Sequence, residues 1–200
     1  MKDLLINSIM NNITRYYDYD ESKLKIIRYG LGSLYLFITK VIVTFALAYF
    51  LGLFYTLLKL MAFYTLIRLT AFGVHAKRSI DCWIASLTMF LVIPYLCEIL
   101  VIDLYLKLSI AIICVVLLSI YAPADTEKRP LIHKKKRVIY KVITIITSLT
   151  LTVSLFFIKD NILNNCVLFG IVLGTFVVLP ITYKIFGVKY NNYKNYRKKE

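Results

Sequence analysis

Long apolar stretches separated by short polar or charged interruptions set the rhythm of this chain. Residues Val41–Leu58, Trp83–Ile102, Leu104–Ala122, Val138–Ile158 and Ile162–Tyr183 each approach the roughly 20 residues a helix needs to cross a hydrocarbon core. A further apolar segment, Leu60–Val74, is shorter and carries Arg68, so it either crosses or re-enters. Pro94 and Pro180 fall inside two of these spans, where a kink is expected. Glu98–Asp103 and Lys159–Asn165 read as tight turns between antiparallel neighbours. At the N-terminus the pattern changes. Ile6, Ile9, Met10, Ile13, Tyr16 and Tyr17 recur at helical spacing, with Asn7, Asn11, Asn12 and Arg15 on the other side. That periodicity predicts an amphipathic helix, lying in the membrane interface or packed on the domain's own cytoplasmic face. Met1–Tyr17 has neither the long apolar centre nor the small-residue cleavage site of a secretory signal. The expected fold is an all-α, polytopic integral-membrane bundle of about six membrane segments with this N-terminal helix attached.

Composition supports a membrane solvent. Of 200 residues 60% are hydrophobic, against about 45–50% in soluble domains, and the mean hydropathy is +0.72. The chain reads as one integral domain over residues 1–200, with 1–28 as the amphipathic segment, 123–137 as a basic loop and 184–200 as a basic tail. The formal charge of +14 is concentrated there. Lys128, Arg129, Lys134, Lys135, Lys136 and Arg137 crowd the loop, and Lys184, Lys189, Lys194, Arg197, Lys198 and Lys199 crowd the tail. Positively charged loops stay cytoplasmic, and two crossings separate the clusters, so both fit one side. Counting back places Cys82 on that side and both termini in the cytoplasm. The loop also suits contact with an acidic substrate segment or with anionic lipid, at about 1 kcal/mol per cation near the leaflet. His133 within it is expected to be solvated. Charge divided among membrane-flanking segments, without a recognised nucleic-acid-binding fold, excludes nucleic acid as a partner.

The cysteines show no CxxC pair and no metal or disulfide spacing, so no metal and no cofactor is implied. Cys97, Cys114 and Cys166 lie in apolar segments, where an inert thiol is the ordinary case. Cys82 differs. It follows His75 by seven residues in Gly73-Val-His75-Ala-Lys-Arg78-Ser79-Ile-Asp81-Cys82. An imidazole can take a thiol's proton and stabilise the thiolate, which is the nucleophilic form. On a continuous helix the two side chains would share a face but stand about 10 Å apart along the axis. Direct hydrogen bonding needs about 3 Å. The chemistry therefore requires the chain to bend or unwind between Gly73 and Cys82, and Gly73 permits an unusual backbone there. A boundary histidine facing head groups and a buried thiol would give the same spacing. Arg68 could lower the thiol pKa, hold a carboxylate or snorkel to the surface. Asp81 and Ser79 could orient the imidazole or simply occupy an exposed turn.

The stretch Arg68-Leu-Thr-Ala-Phe-Gly73-Val-His75-Ala76, followed by Ser79 and Cys82, resembles the signature of the accessory gene regulator B family of integral-membrane cysteine endopeptidases. Ala122-Pro123-Ala-Asp125-Thr-Glu-Lys128-Arg129-Pro130-Leu131 is similar to a second stretch of that family. The resemblance implies that His75 and Cys82 are the catalytic pair, accompanied by Arg68, Gly73 and Ser79. It implies a bacterial cell membrane and a quorum-sensing role. The substrate would be a small membrane-associated propeptide with an acidic C-terminal tail, cleaved so that the retained part closes as a thiolactone or lactone. Membrane lipids are further partners, and a homodimer is compatible. The rival reading is a small peptide or solute transporter or channel subunit, which would call for paired broken helices or acidic residues at a central intramembrane site.

Overall fold

The computed structural model describes residues 2–17, 19–74, 79–126 and 131–193. Eight helices account for most of the described residues: α1 (Lys2–Tyr16), α2 (Glu21–Phe50), α3 (Phe54–Ala71), α4 (Ser79–Ile99), α5 (Leu104–Tyr121), α6 (Lys134–Ser154), α7 (Asn161–Phe176) and α8 (Pro180–Ile185). By length and composition α2, α4, α5 and α6 can each cross a membrane, and α7 is a shorter apolar helix. The all-α membrane bundle expected from the sequence is what forms.

The chain divides into two compact units, Met1–Leu47 and Ala48–Glu200. In the first, α1 is the amphipathic helix that the periodicity predicts, and Asn7 accepts a 2.6 Å hydrogen bond from Arg28 of α2. Helix α2 takes over at Glu21, so residues 21–28 belong to a long apolar helix and not to the interfacial segment.

The second unit is built around α7. Its residues Asn164–Leu168, Gly170, Ile171 and Leu173–Thr175 are buried, and α3, α4, α5 and α6 all pack against it. The closest approach is to α3. A Cβ on Gly170 would come 2.8 Å from Phe63 Cβ, and one on Gly174 would come 2.7 Å from Ile67 Cγ2. Two glycines four apart let helix backbones meet where lipid supplies no hydrophobic drive, and van der Waals packing then holds them. Helix α6 inverts the soluble pattern for the same reason. Thr144, Ser148 and Thr152 form its buried face and bond back to helix carbonyls, while Val142, Ile146, Leu149 and Val153 face outward. Thr144 also donates to Thr70 of α3 at 2.9 Å. Polar ties fix the helix ends: Asn165 donates to the carbonyls of Cys97 and Leu100, and Asn164 to those of Leu155 and Ile158.

Several boundaries differ from the sequence expectation. The proposed span Val41–Leu58 does not exist as one helix, because the chain turns at Leu51–Leu53 with Gly52 at φ 72°. The segment read as Leu60–Val74 is instead the continuous 18-residue α3. Helix α7 stops at Phe176, so Pro180 starts α8 rather than kinking a span, where its missing N–H costs nothing. Pro94 does lie within α4. Asn161–Asn165 open α7 behind the cap Asp160, so the turn lies before them. Lys134–Arg137, taken as loop, form the first turn of α6.

Candidate functional site

Four helix ends meet at one end of the second unit: α3 and α5 finish there, and α4 and α6 begin. Helix α3 ends at Ala71, and the chain leaves it through two positive-φ residues, Phe72 (φ 58°) and Gly73 (φ 120°), with Phe72 bridged in parallel to Ala124. Ala124 N–H donates to Ala71 O, Gly73 N–H to Ala124 O, and Val74 N–H to Val177 O, each at 2.9 Å. Phe72 packs edge-on against Tyr140 of α6. The three residues leading to position 75 are thus clamped between the α5–α6 connection and the end of α7.

Arg68 completes the clamp. Its guanidinium donates to the carbonyl of Phe72 and, at 2.9 Å, to that of Val74. A helix C-terminus leaves carbonyls without partners and favours a cation, so an arginine in the last turn of α3 is used there on the backbone. Gly73 makes this possible. Its φ is 120°, and a Cβ would overlap the Arg68 guanidinium and come 2.6 Å from Val177 O. A side chain at this position would therefore be strained and would displace its neighbours.

The helix does not continue from Gly73 to Cys82, in keeping with the break that their chemistry requires: α4 starts afresh at Ser79. Cys82 lies in the first turn of α4 and is half-buried, close to the positive end of the helix dipole. Tyr64, one turn before Arg68 on α3, lies within electrostatic range of both Arg68 and Cys82 and packs edge-on against Phe90 of α4. Tyr64 was not singled out from sequence. The available signal was its spacing of four from Arg68, which puts both on one helix face. His75 lies outside the described residues, as do Lys128 and Arg129.

Asp125 is the second residue whose role the sequence did not reveal. It is buried, and its carboxylate accepts the backbone N–H groups of Leu131 (3.3 Å), Asn192 (3.1 Å) and Tyr193 (2.8 Å). Tyr183 is also buried and donates to the carbonyls of Ala124 and Asp125. One carboxylate therefore ties the basic segment and the C-terminal residues to the strip that anchors Phe72–Val74. Beside it a cavity of about 480 Å³ is lined by Tyr121, Lys134, Arg137, Lys141, Tyr190 and Tyr193, among others. The Arg137 guanidinium lies 3.2 Å from the centroid of the Tyr193 ring, in cation–π contact. Burial pushes the Tyr190 phenol up to about 12, and its neutral hydroxyl donates to Tyr121 O at 3.3 Å. Lys134, Lys135 and Lys136 are exposed on the first turn of α6, and His133 precedes them, exposed, at the N-cap position. The other cysteines, Cys97, Cys114 and Cys166, are buried in helix packing.

Comparison with known proteins bears on the same residues. A family model described as accessory gene regulator B matches residues 6–178. An AgrB-like protein of Clostridium acetobutylicum is 33% identical, covering 86% of this chain and 82% of its own length. An AgrB-like protein of Listeria innocua is 28% identical over 98% of this chain and 93% of its own. Accessory gene regulator protein B of Staphylococcus epidermidis is 33% identical over 90% and 91%. No solved structure matches.

Proposed function

Since the chain belongs to the accessory gene regulator B family, we propose that it is a membrane-embedded cysteine endopeptidase acting on a small quorum-sensing propeptide. The observation that carries this reading is the construction around the His75–Cys82 segment. Phe72–Val74 are clamped by five hydrogen bonds, three from their own backbone N–H groups and two from the Arg68 guanidinium, and a new helix then begins with Cys82 in its first turn. A lead-in fixed up to Val74 and a fresh helix start at Ser79 suit an imidazole and a thiol that must meet across the interval between them.

In the proposed reaction His75 takes the Cys82 proton, and the thiolate attacks the scissile carbonyl. The C–N bond breaks as imidazolium passes its proton to the departing amine, leaving a thioester on Cys82. Amide groups of the first turn of α4 are suited to hold the oxyanion. A thiol or hydroxyl within the retained peptide, giving its proton to the now neutral His75, then attacks the thioester carbonyl; the new S–C or O–C bond closes the ring as the Cys82 Sγ–C bond breaks, and the Cys82 thiolate leaves. Exchange of one thioester for another is nearly balanced in energy, so exclusion of water and loss of the tail favour ring closure over hydrolysis. The cations beside the clamp, Lys134 and Arg137 with Lys135 and Lys136, suit the acidic tail of such a propeptide. The basic residues at this end also favour a cytoplasmic placement of the site and of both termini.

The test is co-expression with a tagged propeptide. Cys82→Ala and His75→Ala should each abolish cleavage while the protein still enters the membrane. Intact mass measurement should find an acyl adduct on the wild type that Cys82→Ala lacks. Normal processing by Cys82→Ala would reject the peptidase reading.

A further inference from the structure

A second polar site lies at the opposite end of the same unit, where the α4–α5 and α6–α7 connections meet. Lys107, one turn into α5, is only 3% exposed. Its ammonium donates to Asn161 Oδ1 at 3.1 Å, and no carboxylate pairs with it among the described residues. The acids of this end are engaged elsewhere: Asp103 accepts from Tyr105 N–H, Asp160 from Leu163 N–H, and Glu98 from Thr56. Lys107 lines a cavity of about 170 Å³ shared with Lys159, Asn161 and Asn164, room for more than a single water. Asn164 is 4% exposed, and its Oδ1 is buried without a hydrogen-bond partner. The remaining walls, including Leu104, Leu155 and Phe156, are apolar. Tyr105, Phe156 and Phe157 stand exposed around this end, as aromatic residues do at the membrane interface.

A buried ammonium with protons to spare calls for an anion, and a buried amide oxygen without a donor calls for a hydroxyl or N–H. Apolar walls opening among interfacial aromatics call for acyl chains. We propose that this cavity binds the glycerophosphate headgroup of an anionic phospholipid, of the phosphatidylglycerol kind. The phosphodiester lies against Lys107 and Lys159, and a glycerol hydroxyl donates to Asn164 Oδ1. A choline headgroup offers no donor and brings a cation next to two lysines, so it is disfavoured. Occupation pins α5 to the α6–α7 connection, remote from Cys82, and does not depend on what reaction the other end performs.

The test uses the full chain in nanodiscs of phosphatidylcholine alone or of phosphatidylcholine and phosphatidylglycerol in equal parts. Lipids retained on transfer to detergent are counted by native mass spectrometry. The wild type should keep one phosphatidylglycerol in preference to phosphatidylcholine. Lys107→Met should weaken that binding roughly tenfold or more, the loss expected for one charge-assisted hydrogen bond. The same one-charge change at exposed Lys25, Lys25→Gln, should leave it unchanged. Should Lys107→Met fail to fold, the wild-type preference decides alone. Equal retention of the two lipids, or undiminished phosphatidylglycerol binding by Lys107→Met, overturns the proposal. Thermal protection by free glycerol phosphate equal to that given by the lipid would assign the cavity to a soluble anion and overturn the lipid assignment.

Discussion

Replacing Gly73 by alanine should disable the clamp before it disturbs the rest of the bundle. Two costs add at that position. A φ of 120° holds a residue with a side chain in a sparsely allowed region, at about 1–3 kcal/mol. The new methyl would also overlap the Arg68 guanidinium and press on Val177 O at 2.6 Å. Relief requires Arg68 to withdraw from the Phe72 and Val74 carbonyls. Each such charge-assisted bond contributes about 1.5–3 kcal/mol. The total of roughly 4–9 kcal/mol is a large share of a native protein's margin of about 5–15 kcal/mol, and it falls on the three residues before position 75. A double-mutant cycle separates the two costs. In an Arg68→Ala background both guanidinium bonds are already absent, so Gly73→Ala should cost about 3–6 kcal/mol less than in the wild type. The assay is unfolding in detergent by near-UV circular dichroism for all four proteins, with propeptide cleavage measured in parallel. Additive effects within about 0.5 kcal/mol, or a Gly73→Ala protein of wild-type stability and full activity, would refute the reasoning.

Gly174→Val should separate α3 from α7 at Ile67 and lower the unfolding temperature by several degrees or more, whereas Gly30→Ala, which meets nothing within 4 Å, should leave it unmoved. Asp125→Asn removes the charge from three N–H···O bonds; limited proteolysis should then cut near residues 188–193 severalfold faster at unchanged helix content. Arg68→Lys should retain less than one-tenth of wild-type processing, because an ammonium cannot serve two carbonyls with the planar geometry of a guanidinium; full activity in that variant would show that processing does not need the guanidinium clamp. Single cysteines placed at Lys77 and Lys135 should be labelled from the cytoplasmic side, and labelling of either from outside would overturn the proposed orientation.

The all-α membrane class was legible because lipid imposes one rule: every backbone polar group must be satisfied within the segment or its bundle. Apolar length reports that rule directly, as in Leu104–Tyr121, whose observed ends match the sequence boundary within a residue. Hydropathy fails where turns are apolar. Leu51-Gly-Leu53 is as greasy as its flanks, so only the backbone freedom of Gly52 marks the reversal, and the span was drawn straight through it. The same measure says nothing about which helix is central. Helix α7 owes that place to Gly170 and Gly174, a spacing readable in the sequence but not weighed. Lys134–Arg137 carry no apolar periodicity, yet lysine and arginine are good helix formers, and they open α6 where the sequence pattern shows only a basic loop.

The site was legible in a different way. Spacing made His75 and Cys82 candidates whose pairing needs a break in the helix between Gly73 and Cys82, and α3 does end at Ala71 with α4 starting at Ser79. What anchors Phe72–Val74 could not be read, because the partners are distant in sequence: Ala124 and Val177 bond to them, and Tyr183 bonds to Ala124 behind, only after α5, α6 and α7 have packed. This explains why the second stretch that resembles the family, around Asp125, accompanies the first although it carries no nucleophile. Asp125 binds the chain on either side of the cationic cavity, and its neighbour Ala124 bonds directly to Ala71 and Gly73. A change in the occupancy of that cavity would reach Gly73 through a single intervening residue. On the proposed reading, a propeptide tail in that cavity and the Cys82 thiol would need no long relay to act together, since one strip of backbone borders the cavity and anchors Phe72–Val74.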